Sequence, residues 1–151
     1  MRVQVGSSRS GNRMAEFTGP DYKTLQANGQ HGNARVAILQ YTCAGEASGS
    51  IIKFGKIPGA SRIHSVAVRN AALGTGVTLS VGTRYLVTAE GTGSATAFTS
   101  AVVCTSAART VSSSDVVDIA KGSGVEIIGT TGVGAATGAV SVIVEYDWEG
   151  Q

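Results

Sequence analysis

The pattern that most constrains this chain lies near its end. From Val140 to Glu149 apolar and polar residues alternate, interrupted only by Ile143. Val140, Val142, Val144, Tyr146 and Trp148 fall on one side, and Ser141, Ile143, Glu145, Asp147 and Glu149 on the other. A period of two marks a β-strand, because successive side chains point to opposite faces. One apolar side and one mostly polar side mean a sheet that packs on a core through a single face. Trp148, the only tryptophan, lies on the packing side and reads as core or interface packing rather than a ligand platform.

The same chemistry recurs upstream. Residues 51–82 read IIKFGKIPGASRIHSVAVRNAALGTGVTLSVG. Ile51, Ile52, Phe54 and Ile57 form an apolar, β-prone run, which Pro58-Gly59 interrupts with a turn in which Gly tolerates φ > 0. Ile63 then falls in one parity while Val66 and Val68 fall in the other, so a β-bulge is expected near His64. Leu73-Gly74-Thr75-Gly76 makes a second break, after which Val77, Leu79 and Val81 alternate with Thr78, Ser80 and Gly82. Further strands are expected at 35–42, 50–57, 60–70, 77–81 (running on toward 84–87), 101–105, 115–120 and 125–129. Residues 91–108 carry mixed signals: Ala95, Phe98, Ala101 and Val102 have helical spacing, but the Thr/Ser content and Val102-Val103 favour strand. An irregular connection or one short helix is expected there. Seven or eight short strands with frequent turns make an all-β, antiparallel β-sandwich or barrel. The residues leave a jelly roll and an immunoglobulin-like sandwich both open.

Several of these segments, in this order, resemble small structural proteins of tailed bacteriophages. The resemblance is carried by the apolar strand leading through Ile57-Pro58-Gly59-Ala60 into the segment ending at Gly82. It continues in Gly124-Val125-Glu126-Ile127-Ile128, in the turn ending Ala135-Ala136-Thr137-Gly138, and in the strand from Val140 to Tyr146. The family resembled is that of head decoration (cement) and related virion proteins. The resemblance implies a jelly-roll-like sandwich assembled as a homotrimer on the capsid exterior. It also implies a major capsid protein as partner and synthesis in the bacterial host cytoplasm. It supplies no invariant functional residues to transfer.

With 151 residues, one domain of 34–151 is expected, preceded by a polar, Gly/Asn/Ser-rich segment of 1–33. That segment reads as an extended arm lying on a neighbouring subunit, with Val3, Met14, Phe17 and Tyr22 as apolar anchors. Charged residues are only 15% of the chain, below the usual quarter, which favours association over a solitary monomer. The charge is uneven, with a basic middle and an acidic C-terminal half. Arg35, Lys53, Arg62 and Arg69 are expected to face an acidic partner surface, although pairing within one fold accounts for the same asymmetry.

Chemistry is hard to place on this chain. Two histidines, His31 and His64, and two separated cysteines, Cys43 and Cys104, do not have the spacing of a zinc site. The thiols are expected to be buried and unpaired rather than bridged. No nucleophile elbow is present, and the glycine pairs Gly91/Gly93, Gly122/Gly124 and Gly132/Gly134 read as sheet turns, not phosphate cradles. Glu145, Asp147 and Glu149 share a strand face and read as solvated or salt-bridged rather than as a calcium site. No cofactor, no metal, no nucleic acid and no membrane are expected, and the chain is read as a non-enzyme. The alternative reading is a receptor- or carbohydrate-binding β module of a head fibre, tail or baseplate.

Overall fold

A computed structural model describes residues 16–19, 34–112, 117–120 and 122–149. Ten strands carry almost all of the regular structure, and the helical content among these residues is a single 3-10 turn at Thr88–Glu90. The strands are β1 (Glu16–Thr18), β2 (Ala34–Glu46), β3 (Ile51–Ile57), β4 (Ser61–Asn70) and β5 (Thr78–Tyr85), then β6 (Ser94–Val103), β7 (Ala108–Val111), β8 (Val117–Ile119), β9 (Val125–Gly132) and β10 (Ala136–Trp148).

They form two sheets, ordered β1-β3-β9-β5-β6 and β2-β10-β4-β7, with β8 also on β4. Apart from the parallel pair β1·β3, every pairing is antiparallel. The antiparallel partners are nested: β2 with β10, β3 with β9, β4 with β7 and β8, and β5 with β6. A long hairpin rolled up so that its two arms alternate between two sheets gives this nesting, and the result is a jelly roll. The fold class read from the sequence therefore stands.

Period 2 does the sorting. On β10, Val140, Val142, Val144 and Tyr146 are each at most 1% exposed. They meet Ala37 and Leu39 of β2, Val66 and Val68 of β4, and, from the other sheet, Ile52, Phe54, Leu79, Val81 and Ile127 in one core. The bulge expected at His64 is present: Glu145 pairs with Ser65 but Tyr146 pairs with Ile63, so His64 is the extra residue that shifts the parity. Pro58-Gly59 does carry the chain from one sheet to the other. The left-handed residue of that turn is Ala60 (φ 56°), however, and Gly59 is required because a Cβ there would run into the backbone of Gly122. The two Gly in Leu73–Gly76 do take positive φ, 133° and 74°.

Residues 91–108 differ from the reading. A ten-residue strand, β6, begins at Ser94, and a separate short strand, β7, follows a turn. The register against β5 slips twice, between Leu79 and Val81 and between Val81 and Thr83. These slips put Phe98 and Thr99, neighbours in sequence, both in buried positions and destroy the period-2 signal. Within 1–33, β1 lies parallel to the chain's own β3, with Phe17 opposite Ile52.

A charged cluster fixes β1. The Glu16 carboxylate reaches Lys53 Nζ at 2.5 Å and Arg84 Nη1 at 2.9 Å, and Arg84 Nε donates to the buried Glu126. The Arg84 guanidinium, then the Lys53 ammonium, hold the Glu16 carboxyl at about 2, below its ordinary 4.5. A carboxyl depressed by folding stabilises the fold above about 4.5, and that contribution disappears as pH falls through about 2. Because the Glu16 side chain is 39% exposed, the effect is expected to stay near or below ~1 kcal/mol. Carbon-detected NMR titration should place the Glu16 midpoint near 2. The melting-temperature gap between wild type and Glu16→Gln should close as pH falls from about 5 to about 2. A gap constant with pH would show that the cluster contributes nothing.

Candidate interaction surface

Several groups able to do chemistry are occupied or sealed. His64 Nε2 lies 2.6 Å from Asp147 Oδ2, both side chains about two-fifths exposed. Among the described residues no hydroxyl or thiol is hydrogen-bonded to this imidazole. Glu46 is 4% exposed, and its carboxylate accepts from Tyr41 Oη at 2.8 Å and from the Ala44 N–H at 2.7 Å. Burial, then the neighbouring Glu46, pushes the Cys43 thiol up to about 12, and burial also raises Cys104. Both cysteines are buried and unpaired, and thiols so disposed stay protonated and poorly nucleophilic. Among the described residues no three His, Cys, Asp or Glu side chains stand close enough together to hold a metal ion. Nor is any helix among them long and apolar enough to cross a membrane.

Two concave sites among the described residues are small. One depression of about 200 Å³ is lined by Ser61, Arg62, Asp118 and Glu149, and another of about 230 Å³ by Arg35, His64, Glu145 and Asp147. Both fall short of the roughly 300–1,000 Å³ typical of small-molecule sites. The turns around the three glycine pairs are structural. For example, the Glu90 carboxylate accepts from the Ser123 N–H at 2.9 Å, and a Cβ at Gly122 would collide with that carboxylate.

What remains is surface, including the outward face of the sheet β2-β10-β4-β7. The cross-strand register arranges this face in rows. One row is Ile38, Ile143, Ala67 and Val111. Ile38 is 53% and Val111 47% exposed, while Ala67 is covered yet lies outside the inner core. The next row holds Gln40, Ser141, Arg69 and Arg109. On the other side stands the row of Val36, Glu145 and Ser65. An apolar ladder thus crosses the whole sheet, with cations on one flank and a carboxylate on the other.

The residues singled out from the sequence do not converge. Val3, Met14 and Tyr22 lie outside the described residues. Phe17 is half-buried on β1. Arg35 packs its guanidinium 4.5 Å from the centroid of Trp148, whose Nε1 donates to the Gly59 carbonyl. Lys53 meets Glu16, and Arg62 meets Asp118 with Nε–Oδ1 at 2.7 Å. Arg69 lies opposite a second cation, Arg109. Sequence reasoning missed Arg109, Ile38 and Val111; the signal available for Ile143 was its place among the outward residues of the alternating strand.

The backbone as a whole matches two solved structures. A chain of the capsid of Ralstonia phage GP4 superposes with a TM-score of 0.68 at 18% identity, covering 91% of this chain and 100% of that one. A chain of the capsid asymmetric unit of cyanophage Pam1 superposes with a TM-score of 0.62 at 16% identity, covering 97% of this chain and 99% of that one. The fold is one that phage capsids contain. No protein-family model and no curated protein sequence matches the chain.

Proposed function

We propose that this protein is a bacteriophage virion structural protein that decorates and stabilises the capsid by bridging neighbouring shell subunits. The observation that carries this reading is the end-to-end likeness to chains of two phage capsids, each matched over 99% or more of its own length. The surface supports it: several chemistry-bearing groups are tied up, the two depressions among the described residues are small, and an apolar row exposed at Ile38 and Val111 crosses a sheet face. On this reading the action is mechanical. A protein that binds the assembled shell and not its dissociated parts stabilises the shell by linkage. Many weak contacts on one particle add up through avidity. The segment leading to β1, with Val3 and Met14, and the segment following it, with Tyr22, are proposed as the anchors on neighbouring subunits.

A glycan- or receptor-binding module would present aromatic faces at loop tips. Tyr41, Tyr85 and Trp148 instead pack partly buried against the core, so the decoration reading is preferred. It is tested with particles of the encoding phage assembled without this protein. Purified protein should co-sediment with them saturably and raise the temperature at which the shells release DNA. Absence of binding to intact shells would overturn the proposal.

A further inference from the structure

The outward face of β2-β10-β4-β7 separates its charges along the strand direction. Arg69 and Arg109 lie directly opposite each other across an antiparallel pair, an arrangement that disfavours an isolated sheet. Among the described residues neither guanidinium has an ion-pair partner, and neither does the exposed Glu145. Glu145 is four residues along β10 from the Arg69 row, about 13 Å by the strand rise. Midway between them runs the apolar row of Ile38, Ile143, Ala67 and Val111. We infer that this face is a homotypic docking surface whose occupant is the same face of a second copy, laid against it with the strand direction reversed.

Reversal is the arrangement that sets opposite charges against each other and keeps the apolar rows together. The apolar row lies at the centre and falls on its own equivalent, covering Ile38 and Val111. The arginine row of each copy falls over the Glu145 row of the other, within reach of long side chains across two sheets packed about 10 Å apart. With strands running the same way, the arginine rows would stack and repel. The contact is isologous: the same patch serves both copies, each charge pair is made twice, and the assembly closes at two. A low charge content elsewhere on the chain leaves little to oppose the association. The homotrimer implied by the resemblance is replaced here by a pair.

Light scattering on the full chain across a concentration series tests this. Wild type should run at twice the chain mass. Arg69→Glu sets a new carboxylate against Glu145 of the second copy, and Glu145→Arg sets a new guanidinium against its Arg69. Each single variant should weaken association by about tenfold or more while keeping the wild-type circular dichroism, since both side chains are exposed. Mixing the two variants in equal amounts should restore a dimer, because each then offers the charge the other lacks. Ile38→Lys should give a monomer whose melting temperature equals that of monomeric Arg69→Glu. A monomeric or trimeric wild type, single reversals that leave the dimer intact, or a mixture that stays monomeric would each overturn the inference.

Discussion

Replacing Gly82 by Ala is expected to cost about 3 kcal/mol or more and to leave little soluble protein, because overpacking against backbone cannot be relieved by a rotamer change. Gly82 sits in mid-β5 opposite Ile128 of β9. A Cβ at this position would overlap the main chain of Ser94 and Ala95, where β6 closes over β5. The clash is with peptide atoms of a strand pinned by register on both sides, at Thr83–Ser94 and Val81–Thr99. Glycine in a strand interior is normally a weakness, and here it is the condition for the double slip of β6. Gly45→Ala is the control. Gly45 has φ 110° but no atom within 4 Å of its Cβ position. It should therefore show only backbone strain, on the order of 1–2 kcal/mol. Equilibrium denaturation of the two variants checks the contrast; comparable losses would mean that the close approach of β6 does not matter.

Phe54→Ala should destabilise by about 3–5 kcal/mol with little change in denaturant slope. Phe54 is fully buried at the bulge of β3, where the pairing with β9 steps from Lys53–Ile128 to Gly55–Ile127. Its ring edge occupies the space that Gly129 leaves on β9: a Cβ there would stand 2.6 Å from the ring. Truncation leaves a cavity that Gly129 cannot fill, and the stiff sheets on either side limit collapse. Val103→Ala, at a site 59% exposed, should change stability by no more than about 0.5 kcal/mol. A Phe54 variant as mild as that one would show that the core relaxes freely around this ring.

The sequence made some features readable because they depend on local rules. The buried set of β10 follows from alternation alone, and the His64 bulge from a change of parity between Ile63 and Val66. Strands β3, β4 and β5 begin within a residue or two of their expected starts, since each is framed by Pro or Gly turns. β6 was obscured because its phase is set by slips against β5, not by its own residues. β7 is four residues long and carries no periodicity of its own. β1 depends on Glu16 meeting Lys53 and Arg84, the latter 68 positions away. The surface was less legible than the core for the same reason. Arg62 looks like a free cation in sequence, yet Asp118, 56 residues on, takes it up. Arg69 and Arg109 become neighbours only when β4 and β7 pair. Whether a charge is neutralised within the fold or left for a partner is a property of the register, which nesting of distant strands decides.

The central claim, that this jelly roll is a shell component, is tested most directly by its copy number in purified particles of the phage that encodes it. Quantitative mass spectrometry of washed particles, with the major shell protein as internal standard, gives that ratio. The account predicts a copy number of the same order as the shell protein, retained through high-salt washing. A protein absent from the particle, or present only at the few copies of a tail or baseplate part, would contradict it.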